Sequence, residues 1–303
     1  MASPTVPASW IDTGESLLHD MIALRRAIHE EPELGLHLPK TTAKAKAALA
    51  GLPLEIREGP STTGFVAVLR GPANGRTVLL RGDMDALPLV EDTGLAFSSR
   101  THGAMHACGH DTHVAMLVGA ARALCARRDE LAGSVAFMFQ PGEEGWHGAR
   151  YMLDDGLIDP LPDAAFALHI SPNMPTGVFA SREGPLLASS DTIAIKVTGA
   201  GGHASMPHDA VDLAERTATT LYGEGAWITM PNPMMGAEDF SYVLNEVPGL
   251  MAFIGAAPVE AADFRSCCAL HSNRMVIEEA VMARGIAMHC AFAEAVLAGE
   301  MAT

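Results

Sequence analysis

The chain has 303 residues, of which 49% are apolar, and this length and composition suit a folded α/β protein with a large buried core rather than a disordered or fibrous chain. Its formal net charge of −16 argues against a nucleic-acid binder, which needs basic patches to displace phosphate counterions. An odd count of five cysteines, no apolar run near the roughly 18 residues of a membrane span, and an amino terminus unlike a secretory signal predict a cytoplasmic protein that uses neither disulfides nor a membrane.

The amino-terminal part predicts two helices followed by short strands. Apolar residues recur at helical spacing over residues 15–28, and a second helix is predicted over residues 41–49. Short strands are predicted at residues 54–57 and 65–69.

Three apolar strands then deliver polar side chains at their carboxyl ends. Their sequences are TVLLRGDMD, SVAFMFQPGEE and AAFALH, and such near-continuous apolar runs are typical of strands buried on both faces. A helix with one apolar face is predicted between the first two strands. This alternation predicts an α/β fold with a mostly parallel sheet flanked by helices, in which ligands bind at the carboxyl ends of the strands.

The rest of the chain changes character after the third strand. Residues 191–197 alternate with a period of two, which indicates a half-exposed strand in a different layer. Helices are predicted at residues 209–222 and 238–247, a strand at 250–254, and a closing helix at 278–297.

The segment HACGHDTHVAM carries the first candidate site residues. Cys108 and His110 lie at a turn before a helix, where the helix dipole stabilises a thiolate that could serve as a metal ligand or as a nucleophile. Asp111 is expected to support the helix start, and no role is required of His106 or His113.

Further candidates follow the later strands. Glu143 and Glu144 can divide the labour, because one carboxylate can bind metal while the other takes a proton from a metal-bound water. His169 is expected at a strand end, His271 lies in a predicted loop, and Asp85 is placed to orient a ligand histidine. The predicted metal ligands offer the sulfur, imidazole and carboxylate donors that suit zinc, manganese or cobalt, and they fit two ions about 3.5 to 4 Å apart: Cys108, His110, Glu144, His169 and His271.

Seven motifs run in order along nearly the whole chain: RGDMDALP, HACGHDTHVAML, QPGEEGWHGA, FALHISP, GAGGHASMPHDAVD, MGAEDFSYVL and LHS. Together they resemble the hippurate hydrolase and N-acyl-amino-acid amidohydrolase branch of the zinc exopeptidases, metallopeptidase family twenty, which includes plant auxin-conjugate hydrolases. In that family a catalytic domain with two metals carries a smaller satellite domain, which serves as a lid and for dimerisation.

The resemblance implies a hydrolase that cleaves the amide of an N-acyl-amino acid to a carboxylic acid and a free amino acid. It implies that Cys108 bridges two divalent metals and that Glu143 activates the shared water and then protonates the leaving amine. His203 is similar to a satellite-domain histidine that helps to stabilise the oxyanion, usually across the dimer.

The satellite region departs from the family pattern. Only LAERTATTLYGEGAWITMPNPM separates HDAVD from MGAEDF, so the chain is shorter than the family pattern by one small domain, on the order of 100 residues. We therefore expect a catalytic domain in residues 1–190 and 215–303, with a truncated α+β satellite remnant at 191–214 and without the family-type homodimer.

Two alternatives remain at this stage. The shortened chain can be a metal-binding protein whose catalysis is impaired because its lid is missing. It can also be a thiol hydrolase with Cys108 as nucleophile and His110 as base, although that leaves the paired glutamates and the later histidines without a role.

Overall fold

A computed structural model of the chain describes residues 9–184, 186–187, 208–234, 236, 238–259 and 268–300. The strand expected at residues 191–197 and His203 lie outside the described residues. The helices are α1 Ser9–His29, α2 Pro39–Ala48, α3 His110–Ala126, α4 Gly148–Asp154, α5 His208–Tyr222, α6 Ser241–Glu246 and α7 Val281–Leu297. The strands are β1 Leu54–Glu58, β2 Phe65–Arg70, β3 Thr77–Asp83, β4 Ser134–Gln140, β5 Ala164–Ser171, β6 Phe179–Ser181, β7 Trp227–Thr229 and β8 Gly249–Gly255.

The strands form one sheet in the order β1-β2-β4-β3-β5-β8-β6-β7. The central strands β4, β3, β5 and β8 are parallel, whereas β1, β2 and β6 join by antiparallel pairings. β3 lies between the two strands that follow it in the chain, so the connections diverge to either side of it. Such a point opens a crevice at the carboxyl ends of the strands.

Helices cover both faces of this sheet, which confirms the predicted α/β architecture. On one face α1, α3, α5 and α7 share a large apolar core with the strands, and α2 packs against its edge. On the other face α4 and α6 cover a smaller core. Within the part of the chain that is described, no helix is long and apolar enough to cross a membrane.

Several elements differ from the sequence-based expectations. His169 lies inside β5 rather than at its end, because Ile170 and Ser171 continue the ladder with β8. The helix expected from residue 238 begins at Ser241, because the side chains of Glu238 and Asp239 are both bound to Arg81. The strands β6 and β7, of three residues each, were not predicted, because so short a run carries no readable period.

The satellite remnant predicted at residues 191–214 stays a prediction. Its boundary at residue 214 falls inside α5, whose contacts include α7 and β8 of the main sheet layer.

Candidate metal centre

The turn that carries Cys108 and His110 is pressed against β5 at the start of α3. Gly109 between them has a φ of 82°, in the left-handed region that favours glycine. A Cβ at this position would lie 2.7 Å from side-chain atoms of Ile170. A glycine is therefore needed both for the turn and for its close approach to the strand that carries His169.

Cys108 and His169 meet directly beneath this turn. The Sγ of Cys108 lies 3.4 Å from Nε2 of His169, and both side chains are buried. Nδ1 of His169 lies 2.7 Å from the carbonyl oxygen of Ile170, which can only accept a hydrogen bond. This bond assigns the proton to Nδ1 and leaves Nε2 unprotonated. An unprotonated ring nitrogen is what a metal ion binds.

Glu144 and His271 form the second part of the cluster. Oε1 of Glu144 lies 3.3 Å from Nε2 of His271 and 3.9 Å from Nε2 of His110. His271 has a φ of 66°, which is unusual for a residue with a side chain, and its backbone N–H donates to the carbonyl of Ala107 at 2.7 Å. Such backbone strain is typical of functional positions, and here it presents the imidazole to the cluster.

The donor atoms fit divalent metal ions. Both ring nitrogens of His110 and Oε1 of Glu144 are buried without a hydrogen-bond partner, although buried polar atoms are normally satisfied. Two sets of donor atoms, each within 4.8 Å of one another, have Cys108 in common: Cys108, His110 and His169, and Cys108, Glu144 and His271. The five sequence-predicted ligands thus lie in two donor sets that have the Cys108 thiol in common.

Asp85 lies beside His110, one of the predicted metal ligands. Its Oδ1 is 3.5 Å from Nδ1 of His110. Its carboxylate also accepts the backbone N–H groups of Glu143 at 2.9 Å and of Glu144 at 3.1 Å. Asp85 therefore links the histidine to the turn that carries both glutamates.

Glu143 stands at the edge of the ligand set. Its side chain is only 9% exposed, and Oε2 lies 3.9 Å from Nε2 of His110. Burial, together with the negative charge of Glu238, raises the pKa of Glu143 well above the usual value for a glutamate. This environment suits a group that accepts a proton and later releases it.

His113 also lies beside these donor atoms, although the sequence requires no role of it. Its Nδ1 is 2.5 Å from Oδ1 of Asp83, and its Nε2 accepts the backbone N–H of Ile170 at 3.0 Å. Oδ2 of Asp83 is in turn 3.6 Å from Nε2 of His110. The spacing of His113 from His110, one helical turn, is the sequence signal that could have identified it.

Arg81 is a second residue without a predicted role. Its buried guanidinium binds Asp83 at 2.5 Å, Gln140 at 2.8 Å, Glu238 at 2.8 Å and Asp239 at 3.3 Å. An arginine in an otherwise apolar strand is a readable signal, because a buried charge requires partners. It joins the end of β3 to the segment before α6.

The Cys108 thiol, which the sequence places before a helix, is buried in the site. Burial raises the pKa of Cys108 above its ordinary value, and the neighbouring His110 lowers it by less. A nucleophilic cysteine and a metal-ligating cysteine both act as the thiolate, so either role requires positive charge beside Cys108 to offset its burial.

Known proteins with similar sequences are hydrolases of amides. Thermostable carboxypeptidase 1 of Saccharolobus solfataricus is 44% identical over 209 residues, which cover 67% of this chain and 53% of that protein. N-acetylcysteine deacetylase of Bacillus subtilis is 42% identical over 193 residues, or 63% of this chain and 50% of that protein. The chain thus spans about half the length of the curated relatives that it matches.

A solved structure and a family model agree with these relatives. The Bacillus subtilis YXEP protein, described as a dinuclear metal binding peptidase from the M20 family, superposes with a TM-score of 0.74 at 27% identity, covering 93% of this chain and 99% of that one. The model of peptidase family M20/M25/M40 matches residues 79–295, which include all five predicted metal ligands. The chain belongs to peptidase family M20/M25/M40.

Proposed function

We propose that this protein is a metal-dependent amidohydrolase that cleaves N-acyl-amino acids, including hippurate-like substrates, to a carboxylic acid and a free amino acid. The observation that carries the proposal is the position of the Glu143 carboxylate. It lies beside two sets of sulfur, nitrogen and oxygen donor atoms that have Cys108 in common. The N-acetylcysteine deacetylase of Bacillus subtilis, named for an N-acyl-amino acid, supports this substrate class.

Five residues would hold the metal ions that this reaction needs. Cys108, His110, Glu144, His169 and His271 would hold two divalent cations, zinc, manganese or cobalt. When bound, such cations supply Lewis acidity, which polarises an amide carbonyl and makes water easier to deprotonate.

Glu143 moves the proton. Its carboxylate takes a proton from the attacking water, whose oxygen forms the new bond to the carbonyl carbon. When the C–N bond breaks, Glu143 returns that proton to the amine nitrogen, so the acid ends the cycle as a carboxylate. Asp85 holds Glu143 in reach by binding its backbone N–H at 2.9 Å.

Hydrolysis by a Glu143→Gln variant tests this assignment. We expect release of amino acid from N-acetyl- and N-benzoyl-amino acids to fall by at least about 100-fold, because the amide cannot accept the proton. Metal content should stay at the wild-type value, and Glu130→Gln, a change at a glutamate whose side chain is 60% exposed, should leave activity unchanged. Full activity of Glu143→Gln would contradict the proposal.

Metal content per chain separates this function from the two alternatives. Two ions in the wild type, falling to one or none in Cys108→Ala, together with turnover abolished by a chelator, support the amidohydrolase. Two ions without turnover point to a metal-binding protein impaired by its short satellite segment. Activity in the metal-free protein that iodoacetamide abolishes would instead make Cys108 the nucleophile.

A further inference from the structure

A buried cluster of charges lies behind the Cys108–His110 turn and contains none of the predicted ligands. At its centre Oδ2 of Asp111, on the first turn of α3, lies 2.8 Å from Nε of Arg25 and 2.8 Å from Nδ1 of His29. All three side chains are at most 3% exposed. We call this group, with Glu91 and Glu279, the Asp111 cluster.

The outer members tie this centre to two further parts of the chain. Nη1 of Arg25 donates to Glu279 at 2.9 Å, just before α7. Nε2 of His29 is 3.3 Å from Glu91, whose other oxygen accepts the backbone N–H of Ser99 at 2.7 Å. The start of α3 is therefore fixed from α1, from the loop at residues 91–99 and from the approach to α7.

Such a cluster contributes little net free energy to folding, although it buries several charges. The cost of removing ions from water offsets most of their mutual attraction, so a buried ionic network is weak as a source of folding free energy. What it does provide is a fixed geometry, because each partner must occupy one position to satisfy the others. Asp111 directly follows His110, so that geometry is transmitted to a ligand.

We propose that Arg25 and His29 are positioning residues for the metal centre: by both binding Oδ2 of Asp111, they fix the first turn of α3 and keep Cys108 and His110 in ligating positions. This inference rests on the metal centre of the proposed function. Neither residue touches the donor atoms, and both act through Asp111 and the backbone.

Metal affinity tests this role. In Arg25→Gln and His29→Ala we expect zinc and cobalt to bind about 10- to 100-fold more weakly, the usual effect of removing the groups that orient ligands. Affinity is measured by competition with a chromophoric chelator, independently of turnover. His29→Asn should recover part of the loss, because its amide nitrogen can replace Nδ1 as the donor to Asp111.

A spectroscopic readout reports the geometry itself. Cobalt(II) bound through Cys108 gives a thiolate-to-metal charge-transfer band, and the visible bands of the ion report its coordination. We expect both to change in Arg25→Gln and His29→Ala and to return towards the wild-type spectrum in His29→Asn.

Two control variants separate positioning from mere loss of stability. Arg26→Gln removes a neighbouring ion pair to the same Glu279, at 2.5 Å, without reaching Asp111. Leu69→Ala removes buried packing in β2, where Leu69 pairs with Val135 near the start of β4, at the opposite end of the sheet from the predicted ligands. Both should keep wild-type metal affinity and the wild-type cobalt spectrum.

The outcomes are distinguishable. Weaker binding in Leu69→Ala equal to that in the Arg25 and His29 variants would reduce the Asp111 cluster to a structural role and overturn the inference, as would wild-type affinity in those variants. If the wild type itself binds no metal, the proposed function fails, and the inference fails with it.

Discussion

His29 is buried with both of its ring nitrogens facing carboxylates. Burial alone lowers the pKa of this histidine, but the charge of Asp111 and the hydrogen bonds to Asp111 and Glu91 outweigh burial and raise the pKa to about 9. The positive charge of Arg25 opposes this shift without reversing it. His29 is therefore an imidazolium at neutral pH, and its two partners are held as carboxylates.

The raised pKa predicts a pH-dependent contribution to stability. A group whose pKa is higher in the folded than in the unfolded state stabilises the fold fully below about pH 6.5, and that contribution is lost as the pH rises through about 9. We expect the difference in unfolding free energy between wild type and His29→Gln to shrink by on the order of 3 kcal/mol between pH 6 and pH 10. Urea unfolding across this range measures it.

A control on the same helix is available for this measurement. The side chain of His19 is 97% exposed, and His19→Gln should change the unfolding free energy by no more than about 0.5 kcal/mol. A pH-independent difference for His29→Gln would show that the buried imidazole is neutral.

The partners of His29 could not have been found from the sequence. Arg25 and His29 are four residues apart, so a helix places them on one face, and that much is readable. Asp111 lies 82 residues beyond His29, and no local pattern links the two. The clustering of Cys108, Glu144 and His169 was easier to predict, because these residues lie at or near the carboxyl ends of apolar strands, which meet at one edge of a parallel sheet.

At the scale of elements, the contact between α1 and α7 depends on one small residue. Gly14 is buried in α1, and a Cβ there would lie 2.3 Å from the backbone oxygen of Ala283 in α7. Backbone atoms cannot rotate away as a flexible side chain can. The two helices can therefore approach this closely only without a side chain at position 14.

This contact predicts the sign of a glycine-to-alanine change. In an unpacked helix Gly14→Ala would stabilise by about 1 kcal/mol, because alanine has the higher helix propensity. Here the overlap forces the helices apart, and overpacking of this kind costs about 1 to 3 kcal/mol. We expect a net loss in unfolding free energy, measured by denaturant unfolding, whereas Ser16→Ala on the exposed side of α1 should be near neutral. A stabilised Gly14→Ala would mean that the helices separate at no cost.

Element boundaries were less predictable than element types. The apolar runs of β3, β4 and β5 identify buried strands from the sequence, but the end of β5 is set by its pairing with β8, which comes about eighty residues later in the chain. The start of α6 is set in the same way by Arg81, which holds Glu238 and Asp239 out of the helix. Tertiary contacts thus decide the ends that local propensity leaves open.

At the scale of the whole molecule, negative charge is concentrated where the predicted ligands meet. The protein carries a formal net charge of −16, and the same edge of the sheet gathers buried and partly buried carboxylates from distant parts of the chain: Asp83, Asp85, Glu143, Glu144, Glu238 and Asp239. Arg81 compensates for part of this charge. Close carboxylates repel one another strongly in a buried site, so bound divalent cations would stabilise the fold as well as supply chemistry.

This charge distribution predicts that bound metal raises the stability of the folded protein. The predicted ligands come from the turn before α3, from the turn after β4, from β5 and from the loop before α7, so one centre joins segments from across the chain. Metal at 100 times its dissociation constant stabilises by about 2.7 kcal/mol, and for a chain of 303 residues we therefore expect removal by a chelator to lower the Tm by about 4 °C. Added zinc or manganese should restore the Tm.

Cys108→Ala should lose most of this shift and Glu144→Gln part of it, whereas Cys125→Ala, which removes a half-buried thiol elsewhere on α3, should keep it. An identical Tm for the wild type with chelator and with saturating metal would mean that the cluster of donor atoms does not bind cations in the folded protein.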